Sequence, residues 1–374
     1  MGTGIVADAA VTLPWSYAWL RNAATVVWLG AALLLVLLAV GYLRQRTVRS
    51  HAADPVTAQF LGAPSMALLT VGAGALLLGR RLIGLQAALC VDWVLWSSGT
   101  ALGLVTACAV PYLMVTRHRF APGAAFGGWL MPVVPPMVSA ATGALLVPYA
   151  PAGQVRLALL LSCYAMLGLG LIATLLVLSM IYGRLVHHDA PTGTVVPTVW
   201  IGLGALSQSV TALGALAVAA PSALPAPYAR GSAVFALLGG LVMWGFGMLW
   251  LALAAGLTAR TIRHGLPFAP TWWSFIFPVG ACVTATGALA AQTGSTLHLG
   301  GHPALRAARP GLGGGGRTFP AARREERAPV EDNRDPRPGA ATVLGGTLTT
   351  CGDGRPVAGA RDLAGDAVRE VCRH

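Results

Sequence analysis

The chain has 374 residues, of which 55% are hydrophobic and only 10% charged, with a mean hydropathy of +0.67. Soluble domains carry about 25% charged residues, so this composition excludes an ordinary soluble domain and implies a polytopic membrane protein. All 25 basic residues counted in the +12 net charge are arginines; lying between apolar runs, they carry topology and are not a nucleic-acid footprint.

Up to residue 293 the only acids are Asp8, Asp54, Asp92 and Asp189, against 13 arginines. Apolar runs able to span a bilayer, about 20 residues each, fall at 22–43, 57–79, 86–115, 125–149, 155–183, 196–220, 231–258 and 271–292. A shorter run, 1–18, precedes them and holds Asp8 and Pro14, giving nine candidates.

The connections alternate. Arg44, Arg46, Arg49 and His51 follow the second run, Arg117, His118 and Arg119 the fourth, Arg184, His187 and His188 the sixth, and Arg260, Arg263 and His264 the eighth. The intervening connections hold Arg21, Arg156 or Arg230 alone, and the pair Arg80-Arg81. The positive-inside bias puts the rich loops, and with them the N-terminus, on the cytoplasmic side of a cell (plasma) membrane. Arg80 and Arg81 run against this trend and read as a snorkelling helix end.

An internal repeat emerges from the same runs. The odd-numbered ones begin with glycine and proline: Gly2-Thr-Gly4, Phe60-Leu-Gly-Ala-Pro64, Trp129-Leu-Met-Pro132-Val-Val-Pro135, Val196-Pro197 to Gly202, and Phe275-Ile-Phe277-Pro278-Val-Gly280. The even-numbered runs are longer and smoother. The unit is therefore a hairpin of one bent and one straight helix. Repeats of this kind place interrupted helices around a transport pathway. The predicted fold is an all-α ring of five hairpins, with bent inner helices marked by Gly4, Pro64, Pro132, Pro135, Pro197, Pro278 and Gly280. The fifth hairpin lacks an outer helix. After Thr293 a Gly/Pro/Arg-rich composition begins, which reads as a disordered tail over 294–374, with a frame-shifted end as the alternative.

These residues resemble the tellurite-resistance/C4-dicarboxylate transporter family, which contains malate permeases, sulfite efflux pumps and slow anion channels. The resemblance rests on the Met1 to Val6 start, Phe60 to Met66, Pro191 to Gln208 and Trp272 to Pro278, and covers about residues 1–293. It implies ten helices around a central pore, a homotrimer in the lipid bilayer, and transport of a small anion such as malate, sulfite or a related oxyanion. It further implies a phenylalanine gate at Phe277, which precedes Pro278. Phe275, two residues away, is the local competitor. The chain departs from the family pattern in the unrecognisable tenth helix, in the missing lead into the first helix, and in Asp8, which falls in an expected pore helix and is a candidate proton-linked group.

Asp92 lies in an outer run beside Trp93 and Trp96, where a structural hydrogen bond or an interfacial position is expected. The odd runs carry small polar residues, among them Ser65, Thr70, Thr142, Gln208 and Ser209, suited either to an anion path or to packing between helices. Cys90, Cys108, Cys163 and Cys282 read as small core residues. Neither a phosphate-binding loop nor metal-ligand spacing occurs, so no cofactor or metal is expected, and nucleic acid is not a partner. His187-His188-Asp189 supports an alternative reading as a membrane-embedded enzyme. A truncated, non-functional member of the family is a further alternative.

Overall fold

The computed structural model describes residues 1–293 apart from 14–16, 46–47, 122, 189–190, 192, 264 and 266–268. All regular secondary structure among the described residues is helical, with no strand among them. Among the described residues seven segments are long and apolar enough to cross a membrane: Ala18–Tyr42, Thr57–Ile83, Leu85–Thr116, Gln154–His187, Val195–Ser222, Ala226–Arg263 and Thr271–Thr293.

In chain order the helices are α1 (Gly2–Thr12), α2 (Ala18–Gln45), the short α3 (Val48–Ala53), α4 (Ala63–Gly74), α5 (Arg80–Ile83), α6 (Leu85–Thr116), α7 (Pro135–Leu146), α8 (Gln154–His187), α9 (Trp200–Ala219), α10 (Ala226–Arg263) and α11 (Ile276–Thr293). The hairpins are α1/α2, α4/α6, α7/α8 and α9/α10, each packed along its length. No outer partner for α11 stands among the described residues.

The inner helices close a ring in the order α1, α4, α7, α9, α11 and back to α1. Each contact in the ring passes through a glycine. Gly4 faces Thr70, Gly62 faces Met131, Gly127 faces Thr198, Gly204 faces Pro278, and Gly280 faces Ile5. At Gly62 and Gly127 a side-chain carbon would overlap the backbone carbonyl of the next inner segment, so these two segments meet backbone to backbone.

The expected proline bends take a specific form. Four inner helices are entered through a 3-10 turn: Thr57–Gly62, Gly127–Leu130, Gly193–Val199 and Pro270–Phe275. Pro64, Pro135 and Pro278 occupy the first turns of α4, α7 and α11, and Pro197 lies inside its 3-10 segment. A proline in a first turn gives up no intrahelical hydrogen bond, since that N–H has no partner there. These prolines therefore mark where the tighter turn hands over to α-helix, and they do not break a continuous helix. Gly4 and Gly280 lie at close approaches between helices.

Two expectations about the runs need correction. The run 125–149 is not one spanning helix: a turn around Pro132 separates its 3-10 start from the 12-residue α7. The run 1–18 yields only the 11-residue α1. The run 125–149 is almost wholly buried in the bundle, whereas α1 is buried at Gly4, Ile5, Ala7, Asp8 and Ala9 and exposes Val6.

The outer helices present Val26, Leu33, Leu38, Val94, Val105, Leu176, Val242 and Leu249 outward, more than half exposed. Such faces suit a hydrocarbon surround. On their inner sides, tryptophans hook them to the ring. Trp28 of α2 donates its indole N–H to the Val71 carbonyl (3.0 Å), Trp96 of α6 to Ser139 (2.9 Å), and Trp250 of α10 to Val199 (2.8 Å). Gly74, Gly143 and Gly202 provide the notches for these rings. The first two hooks join an outer helix to the inner helix of the next hairpin and thereby fix the order around the ring. Trp96→Phe keeps most of the apolar burial but removes the indole donor to the Ser139 carbonyl, which retains its place in the α7 hydrogen-bond ladder. It should destabilise the detergent-solubilised protein by about 1–2 kcal/mol, read as a lower unfolding midpoint.

Candidate functional site

The five inner helices start at one end of the ring, and a cavity of about 340 Å³ opens there. Its wall takes Met1 from α1, Phe60 and Ala63 from the entry to α4, Met131 ahead of α7, Ile201 of α9, and Phe277 and Pro278 of α11. Every inner helix thus contributes a residue at or beside its first turn. Thr271, Trp273 and Ser274 complete the lining, and none of these side chains is charged. The first turn of a helix leaves its N–H groups without intrahelical partners and carries the positive end of the helix dipole. An apolar wall surrounded by five such ends has positive potential, with no charged side chain in the lining that would trap an anion.

Phe277 is 5% exposed and packs beside Gly204, where an added side-chain carbon would stand 3.3 Å from the ring. Phe275 is held elsewhere. Its ring meets Trp200 edge-on at 5.3 Å and Trp272 at 6.0 Å, and it is not among the cavity-lining residues. The two phenylalanines left open by the sequence therefore occupy different surroundings.

The hydroxyls of the inner helices turn mostly to their own backbone. Thr70 donates to Met66, Thr142 to Val138 and Ser209 to Leu206, while Ser65 reaches the Gly99 carbonyl of α6. Thr211 and Thr284 bond across α9 and α11 at 2.9 Å. Packing between helices accounts for these groups. Gln208 differs: it is 3% exposed and its side-chain oxygen has no partner among the described residues.

Asp8 is not in the cavity wall. It is buried two turns along α1, with Asp92 of α6 close enough for their charges to interact. Asp92 shows neither the structural hydrogen bond nor the interfacial position expected for it: it is fully buried, and among the described residues neither carboxylate oxygen has a hydrogen-bond partner. It faces inward because Gly72 of α4 leaves room for it. His187 and His188 are exposed, and Asp189 lies outside the described residues. Among the described residues no group of three or more His, Cys, Asp or Glu could hold a metal ion.

The profile of the family described as Voltage-dependent anion channel (SLAC1) matches residues 1–305. The chain belongs to this family. Three further matches agree with the assignment. The sulfite efflux pump SSU1 of Trichophyton rubrum is 27% identical over 309 residues, covering 76% of this chain and 78% of the pump. The SSU1 pump of Arthroderma otae is 27% identical over 310 residues, covering 79% and 81%. An uncharacterized transporter of Methanocaldococcus jannaschii is 27% identical over 296 residues, covering 76% and 80%. Membership of the anion-channel family, with seven helices able to cross a membrane, makes this chain a multi-pass membrane protein of an anion transporter and channel family, not of an enzyme family.

Proposed function

We propose that this anion-channel family member passes small anions along the axis of its inner ring, with Phe277 as the gate. The observation that carries this reading is the cavity walled by all five inner helix starts, with Phe277 in the wall. A neutral ring at a narrow point excludes ions by blocking and by dewetting. Phe275, clasped by Trp200 and Trp272, is assigned to buttressing the 3-10 turn ahead of α11.

Sulfite is the first substrate to test, because two of the matched relatives are sulfite efflux pumps. C4-dicarboxylates such as malate, and related oxyanions, follow. Transport of this kind needs no cofactor. Residues 1–293 form the transport unit, which sits in the plasma membrane as a homotrimer, the cavity and the arginine-rich loops facing the cytoplasm. Asp8 supplies the proton-linked element.

The test is uptake of sulfite, malate and chloride by vesicles reconstituted with the purified full chain. Uptake of at least one above protein-free vesicles is expected. A folded, inserted protein that moves none of them ends the proposal.

A further inference from the structure

The inner helices start at the cavity, and where α4 runs out at the opposite end of the bundle three arginines meet. Arg21 stands at the start of the span Ala18–Tyr42, and Arg80 and Arg81 stand at the end of the next, Thr57–Ile83. The joint between α2 and the end of α4 brings them together. Trp28 donates to the Val71 carbonyl at 3.0 Å, and a side-chain carbon on Gly74 or Gly79 would run into its ring. Arg21 lies two turns before Trp28 on the same face of α2. Its guanidinium donates to the Leu77 carbonyl at 3.3 Å, in the π-helical stretch Ala75–Gly79. Helix carbonyls point toward the residues that follow. The Arg21 guanidinium therefore sits beside the next turn, which carries the exposed Arg80 and Arg81.

These arginines have no acidic partner among the described residues. From residue 9 to residue 91 the only acid is Asp54, which follows α3 beyond the far end of α2. Asp8 and Asp92 are buried inside the bundle. The Arg21 Nε–H is itself buried without a hydrogen-bond partner. Guanidiniums gathered around one turn with donors to spare suit an oxyanion that offers several acceptor atoms.

The surroundings say what carries that oxyanion. None of the three arginines lines the cavity. Leu82, Ile83 and Leu85 beside them are exposed, and Val26, Leu29 and Leu33 form an exposed apolar strip along α2 leading away from Arg21. Just before Arg21, the exposed rings of Tyr17 and Trp19 stack at 6.3 Å. Exposed aromatics at the end of a span mark the headgroup layer of a bilayer. A free anion would leave the strip uncovered, whereas a phospholipid sets its phosphate on the arginines and its acyl chains on the strip.

We propose that Arg21, Arg80 and Arg81 bind the headgroup phosphate of an anionic phospholipid, which ties the first hairpin to the second where α2 meets the end of α4. The site is separate from the cavity and does not depend on what the protein transports.

Native mass spectrometry of the purified full chain, stripped of lipid and mixed with phosphatidylglycerol and phosphatidylcholine of the same acyl chains, tests the site. Each basic group at an anionic surface is worth about fivefold in affinity, so wild type should hold phosphatidylglycerol about tenfold or more over phosphatidylcholine. Arg80→Gln combined with Arg81→Gln, at two exposed side chains, should abolish the preference. Arg260→Gln combined with Arg263→Gln removes the same charge from the end of α10 on the cavity side and should keep it. Arg21 is left unchanged in both, so the joint at Leu77 stays intact. Phosphatidylglycerol should also raise the unfolding midpoint of wild type and not that of the Arg80→Gln/Arg81→Gln variant. The proposal is overturned if wild type shows no preference, if both double variants lose it equally, or if inorganic phosphate at equal concentration displaces the lipid, which would make this a site for a soluble anion.

Discussion

Phe277→Ala should raise anion uptake into reconstituted vesicles by at least about tenfold, the change produced by lowering a barrier by about 1.4 kcal/mol. The ring stands in the wall of the cavity onto which the inner helices open. On the proposed path, truncation removes the ring that blocks the ion and the apolar surface that keeps the gate dry. Pro278, immediately after it, has no N–H and a fixed φ, and it holds the start of α11 in place whatever side chain precedes it. The protein should therefore still fold. Phe275→Ala supplies the contrast. It removes an aromatic contact to Trp200 and Trp272 and should lower thermal stability without a comparable rise in flux. Equal rises from both substitutions would show that loosening this turn, and not unblocking a path, opens the protein.

Gly127→Ala should destabilise the fold by about 3 kcal/mol, the upper part of the range for forcing atoms into a packed interior. The added carbon would fall on the Thr198 carbonyl, which belongs to backbone and cannot swing away. The 3-10 entries to α7 and α9 must separate, and the ring loosens at that joint. Gly30→Ala on α2 is the matched control. Nothing lies within 4 Å of the added carbon there, and alanine is the better helix former, so this change should be neutral or slightly stabilising. Unfolding midpoints in detergent compare the two directly. Equal midpoints would mean that the ring joints are not close-packed.

The hairpin repeat was legible because glycine and proline recur at the start of every second apolar run, and these residues report on backbone geometry wherever they occur. The alternation of arginines between loops, Arg80 and Arg81 excepted, follows the same two-run unit from an independent property. The limits of such reading are equally concrete. The turn around Pro132 is built from the same apolar residues as the helices beside it, so the run 125–149 looked continuous. Phe275 and Phe277 could not be separated from sequence, since their surroundings depend on where Trp200 arrives from another hairpin. The tryptophan hooks were not read from the sequence. Their regularity shows once each indole is matched to a glycine on the inner ring.

The central claim is that anions travel through the axis of the five inner helices. Its most direct test is cysteine accessibility in vesicles, on a background in which Cys90, Cys108, Cys282, Cys351 and Cys372 are replaced by serine and only the buried Cys163 is kept. Ala63→Cys and Ile201→Cys place a thiol in the cavity wall on two different inner helices, and Val218→Cys, at a residue 80% exposed, serves as the control. A charged thiol reagent should block sulfite uptake through the first two variants and leave the third unchanged. Complete modification of Ala63→Cys and Ile201→Cys with uptake undiminished would contradict an axial path.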